Sequence, residues 1–365
     1  MKFSWRAGAG FAVGAVLLFA VAPFALSDFR LSLLAKYLCL AMVAVGIGLA
    51  WGRGGLLTLG QGVFFGLGGY AMAMHMKLAD AGPGQMPDFM QLYGQLDALP
   101  WWWRPFANPW FALPATVLLP MLVAFLLGSL VFRRRVRGAY FAILSQALAA
   151  AMAILLIGQQ GTTGGTNGLT DFQGFFGYDL DDPVNQRMVY FIVAGVLLLL
   201  LVIARQLMRS RYGELLVAVR DGEERVRFLG YNPANVKLVA YVTAAGMAGI
   251  AGALFVPAVG IINPALIGIV PSIEFVIGVA VGGRASLLGP VLGAVAVAWA
   301  KTTLSEEFPG AWTYLQGLLF VLVVAFLPGG LASLVRLVRR RRPPPDPAPV
   351  SPAPAVVPSG QAVSA

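Results

Sequence analysis

The sequence predicts an all-α fold: a polytopic membrane bundle of about eight to ten spanning helices with both termini cytoplasmic. Three observations predict it. Of the 365 residues, 58% are apolar and only 12% charged, with a mean hydropathy of +0.77, proportions foreign to a soluble domain. The apolar runs are long and uniform, whereas barrel strands would alternate polar and apolar residues. Helices remain, because in lipid a helix satisfies its own backbone. Finally, the cations are sorted: twenty of the twenty-six Lys and Arg fall on one side of the bundle and ten of the sixteen acids on the other. That bias requires an even number of spans.

In order, spans are expected at 8–26, 31–51, 56–76, 109–131, 139–158, 188–208, 237–259, 271–283, 286–302 and 311–330. The first has a short basic lead and small residues at Ala25-Leu26-Ser27, as a cleavable signal peptide has, but an uncleaved span fits the topology. The run 271–283 is too short to cross alone and reads as a half-helix or re-entrant piece. Basic residues Lys2, Arg6, Arg53, Arg133–Arg137, Arg205 to Lys237, Arg284 and the tail arginines are assigned inside. Arg30, Lys36, Lys77, Arg104, Arg187 and Lys301 are assigned to outer loops and outer span ends. Residues 1–335 form the transmembrane domain, with 209–237 a cytoplasmic loop. Residues 336–365 are basic, then Pro-rich, and read as a disordered tail anchored beside anionic lipid.

A net charge of +10 can signal nucleic acid, but these cations sit between apolar spans, where membrane topology explains them. The single Cys39 has no disulfide partner, and the single His75 has no companion for a metal site. No cofactor is implied. The sequence contains no Gly-Lys pair, hence no Walker A loop, and no H-E-x-x-H. No plausible Ser-His-Asp set is present, so no catalytic residue is assigned and an enzyme is not expected.

Chemistry is carried by polar residues within or beside spans. Gln61, Gln146, Thr243 and Glu274 are candidates for a pathway lining, because a polar group in hydrocarbon faces protein or water. Each also reads as interhelical glue. Asn167 joins them from the Gly-rich outer stretch 158–176, which as a bare pattern is a flexible loop. Residues 55–74 carry six glycines. Gly62, Gly66 and Gly69 share a helical face on which another helix can pack, and Gly246, Gly249 and Gly252 make a similar face. Gly52–Leu57 is echoed by Gly283–Leu288, the faint mark of an internal repeat.

The 209–237 loop reads as an amphipathic helix lying along the membrane. Leu215, Leu216 and Val219 share its apolar face, Arg220, Asp221, Glu223 and Glu224 stay solvated, and Gly230 ends a second short helix. Here Arg211-Tyr212-Gly213, Ala218-Val219-Arg220-Asp221-x-Glu223 and Phe228-Leu229-Gly230 resemble the cytoplasmic loop of branched-chain amino acid type ABC importer permeases (LivM-like). The Gly55–Met74 stretch resembles that family's early Gly-rich span, though a His more often stands at Gln61. TTGGTNGLT, Lys237 to Leu254 and VGGRASLLGPVLGA continue the resemblance over about residues 35–330. Gln85–Met90, Ala98–Phe106, Tyr231–Pro233 and Val256–Pro264 resemble the urea or short-chain amide branch. The resemblance implies a bacterial inner-membrane permease that works with a second homologous permease, two cytoplasmic ATPases and a periplasmic solute-binding protein. It makes Tyr212–Gly230 the coupling helix. Urea or a short amide is the expected solute, with a branched-chain amino acid the alternative. A standalone channel or secondary transporter would explain the spans but not the amphipathic loop.

Overall fold

The computed structural model describes residues 5–94, 97–136 and 138–307, and beyond them only residues 310, 311, 314, 315, 317, 318, 321, 322 and 330. Most of the tenth expected span and the whole 336–365 tail lie outside the described residues.

The chain begins with α1 (Trp5–Val16), a π turn and α2 (Ala22–Ala25), together the first expected span. α3 (Asp28–Ile47) continues through a second π turn, Gly48–Arg53. α4 (Gln61–Ala81) leads to an outer insertion with α5 (Asp88–Gly94). α6 (Pro109–Arg133) and α7 (Ala139–Gly158) follow, then α8 (Gln160–Thr163) and the short strands β1 (Leu169–Thr170), β2 (Gly174–Phe175) and β3 (Tyr178–Asp179). α9 (Pro183–Arg209), α10 (Arg211–Phe228) and α11 (Pro233–Val259) come next, then β4 (Ile261–Ile262), α12 (Ile269–Gly282) and α13 (Gly289–Glu307).

α11 is the hub and packs against α3, α4 and α6. The spanning windows of α3 and α11 are 78% buried, that of α7 only 22%, so α7 lies at the rim with Ile143, Ile154 and Leu155 facing outward. Six described helical stretches are long and apolar enough to cross a membrane, and outward-facing leucines and phenylalanines on α6, α7 and α9 suit lipid.

Small residues let the hub close. A Cβ at Gly68 would run into the Gly249 carbonyl, and one at Gly252 into the Phe65 carbonyl, so α4 and α11 meet backbone to backbone. Gly246 and Gly249 also accept Met121 and Pro120 of α6. The Gly62, Gly66 and Gly69 side of α4 meets Ile262 and Ile267 from the segment between α11 and α12, together with Ser272 of α12 and, at Gly69, the Gly252 carbonyl of α11.

Two ends of the bundle differ in construction. At the acidic end β1 pairs antiparallel with β4, Leu169 opposite Ile262. Asp80 accepts from the backbone of Gln173 and Gly174, and Lys77 donates to the Asp171 carbonyl. His75 is buried and bonds the Phe106 carbonyl at 2.8 Å, which pins the outer insertion. The Gly-rich 158–176 stretch thus holds one helical turn and two short strands joined by turns, with Thr163 donating to the Leu156 and Gln159 carbonyls. At the basic end the two echoing stretches meet: Gly52 abuts the Arg284 carbonyl, and the Arg284 guanidinium lies over the Trp51 ring.

Gly68→Val would force the Gly249 carbonyl away from α4. We expect a loss of about 1–3 kcal/mol, seen as a lower Tm of the detergent-purified protein. Gly195→Ala, which meets only the Phe19 ring edge at 3.8 Å, is expected to leave Tm unchanged.

Candidate functional site

The third expected span does not begin as a helix at Leu56. Residues 55–60 are not helical, with Leu56, Thr58 and Gly60 buried and Leu57 and Leu59 half-exposed, and α4 starts only at Gln61. The cause is local. Gly55 takes φ +68° as the preceding helix ends, and Leu56 N–H returns to the Ala50 carbonyl. Hydrocarbon supplies no hydrogen bonds, so this strap is satisfied by other spans. Leu59 N–H donates to Ser145 Oγ of α7 at 3.0 Å, and Gly62 N–H donates to Ser272 Oγ of α12 at 3.1 Å. Gly60 can have no side chain, because a Cβ there would strike the Ser145 carbonyl.

Gln61 is thus the first residue of α4, 1% exposed, with neither amide atom hydrogen-bonded. The Thr58 hydroxyl is likewise buried, next to that of Tyr241. Gln146 is half-exposed at the rim, and Asn167 is exposed at the acidic end. Thr243 donates to the Val239 carbonyl of its own helix. The five pathway candidates are therefore scattered.

Only Glu274 gathers further charge. Its two carboxylate oxygens accept from Lys301 Nζ at 2.6 and 2.7 Å. Lys36 of α3 is near enough to both to interact electrostatically. The three side chains line a cavity of about 280 Å³ between α3, α12 and α13, with Glu306 also in its lining. Its remaining wall includes Leu40, Phe65, Phe255, Leu266, Phe275 and Val297. Lys36 lies eight residues from the outer start of α3, about 12 Å along the axis, and Lys301 six residues before Glu307 at the outer end of α13, about 9 Å. Both were assigned to outer span ends; the structure moves them inward to face Glu274. For Lys36 the sequence carried a faint signal, a lone cation within the expected span 31–51, whereas Lys301 runs straight into the polar stretch Thr302–Glu307.

At the basic end, Ser210 caps α10 and α9 turns directly into it. Gly213 lets the turn close, since a Cβ would press on the Leu207 and Met208 backbone. Tyr212 Oη donates to the Val236 carbonyl. The apolar face of α10 is not on offer to another protein: Leu216 and Val219 are buried, Leu215 half-buried, and Leu216 rests on Gly54. Arg220 packs on Gly55 and donates to the Gly52 carbonyl at 2.9 Å. Its hydrogen bond to Asp221 holds that exposed carboxyl below its usual range. Glu223 pairs with Lys237 at 2.6 Å. Helical geometry breaks at Gly222, so α10 is two short helices, the second ending before Gly230 at φ +85°. What α10 does expose is its tip, with Phe228 90% and Leu229 75% accessible beside Tyr231.

Residues 29–326 match the family described as branched-chain amino acid transport system / permease component. The chain belongs to that family. It is an integral protein of the inner membrane. It is 27% identical to the high-affinity branched-chain amino acid transport system permease protein LivM of Salmonella typhimurium, over 88% of this chain and 74% of that protein. The same figures hold for the LivM protein of Escherichia coli. No solved structure matches the chain significantly.

Removing one partner of the Glu274–Lys301 pair leaves the other charge within the bundle. Glu274 is 21% and Lys301 44% accessible, which tempers the loss. We expect Glu274→Gln to lower the Tm of the purified protein by about 1–2 kcal/mol equivalent. Glu274→Gln with Lys301→Gln should recover most of it, as differential scanning fluorimetry in one detergent would report.

Proposed function

We propose that the chain is the permease subunit of an ABC importer, with α10 the helix through which a cytoplasmic ATPase acts. The observation that carries this reading is the seating of α10 on the strap. Arg220 holds the Gly52 carbonyl and Leu216 fills the space at Gly54, so α10 cannot shift without pulling on 52–60. The strap ends at Gln61, and the next residue bonds Ser272, two positions before Glu274. A rigid-body step at α10 thereby reaches the charged cavity through packed contacts. The basic end is cytoplasmic by the positive-inside bias. The exposed Phe228, Leu229 and Tyr231 tip is the surface for the ATPase. The remaining partners are a second, homologous permease, a second ATPase and a periplasmic binding protein.

For the solute, a branched-chain amino acid is favoured over urea. A urea path would use neutral amides and hydroxyls, yet Gln61 is sealed, Asn167 lies at the surface and Thr243 is bonded within its helix. A cavity with fixed charges and apolar walls suits a charged head with an apolar side chain.

Phe228→Asp with Leu229→Asp is expected to cut copurification of the ATPases by more than about tenfold with Tm unchanged. Undiminished copurification would remove the tip from the interface. In cells with the complete transporter, deleting this subunit should abolish uptake of labelled leucine and spare that of urea. The reverse result would return the solute to the urea class.

A further inference from the structure

Charge placement in the α3–α12–α13 cavity is uneven. Glu274 is bridged by Lys301, but Lys36 forms no ion pair among the described residues. A carboxylate has about four lone-pair sites, and Lys301 takes one on each oxygen of Glu274. The cavity therefore holds an anion acceptor in Lys36 and a carboxylate with room for another donor. Between apolar walls, both are costly unless something uses them.

We propose that this cavity binds an apolar α-amino acid as its zwitterion, Lys36 taking the α-carboxylate, Glu274 the α-ammonium, and the walls the side chain. This rests on the permease reading and adds to it the residues that hold the solute. Lys301 is a positioning residue: its two hydrogen bonds hold Glu274 aimed at the cavity, and it does not itself contact solute. With Lys36, Lys301, Glu274 and Glu306, the lining has two groups of each sign, so a neutral zwitterion adds no net charge. Leu40 of α3 and Phe65, Phe255 and Phe275 of α4, α11 and α12 form the apolar wall, which favours leucine over glycine. At about 280 Å³ the cavity is below the range for drug-sized ligands and suits one amino acid. The wall residue Phe65 lies one helical turn beyond Gln61, so movement of the strap changes the cavity shape.

The test uses the complete transporter in proteoliposomes with its binding protein. Thr302→Cys places a reporter thiol in the cavity lining; the native Cys39 is fully buried and inert to labelling. Leucine is expected to slow maleimide labelling of that thiol, while urea and 4-methylpentanoate, which lacks the ammonium, do not. Adding Lys36→Met or Glu274→Gln should weaken protection and leucine uptake by at least about tenfold, with ATPase copurification unchanged, and Lys36→Arg should restore much of both. If the unaltered transporter takes up no leucine, the amino acid reading of the permease fails. If it does, and the Lys36→Met and Glu274→Gln forms still transport and protect normally, the site assignment fails.

Discussion

Hydrocarbon gives the backbone no hydrogen-bond partner, and this constraint organises the molecule. Most of the chain answers it with continuous helices. Residues 55–60 do not, and the departure fixes much else. Ser145 and Ser272 stand where Leu59 and Gly62 need an acceptor. Gly60 and Gly62 must lack side chains, because the Ser145 and Ile267 carbonyls occupy that space. α7 and α12 are thus tied to α4 by polar contacts as well as by packing. Backbone contact between α4 and α11 at Gly68 and Gly252 then sets α4 on the hub.

What was legible in the sequence follows from how local each signal is. Spans α6, α7, α9 and α11 announce themselves by long apolar runs, and α9 and α11 begin at Asp182 and Asn232 caps with proline next. The strap was not legible, since LLTLG continues an apolar run and hydropathy does not distinguish non-helical from helical. Nor was the direction of the glycine face on α4. Spacing shows which glycines share a side but not that Ile262 and Ile267, some two hundred residues on, would fill it. α10 was legible as an amphipathic helix. That its apolar face turns inward depends on Gly54, which lies in another part of the chain.

The cavity shows the same limit for charge. Glu274 stands out because a carboxylate in a span is expensive. Lys36 and Lys301 were hidden by their nearness to span ends in the linear count. Helix geometry sets them about 9 to 12 Å in from the outer ends of their helices, beside Glu274. Their meaning arises only once α3, α12 and α13 stand side by side.

The strap also bears on how the molecule is made. Its bond to Ser145 joins residues 86 apart, and that of Gly62 to Ser272 joins residues 210 apart. The ribosome delivers α4 long before either serine exists. Until α7 and then α12 enter the bilayer, the start of α4 has only water, lipid headgroups or a chaperone to satisfy it. Biogenesis is therefore a process that closes late, from the far end of the chain back to its beginning. A nascent chain that stops short of α12 lacks the Ser272 acceptor for the Gly62 N–H and so leaves the start of α4 unfinished.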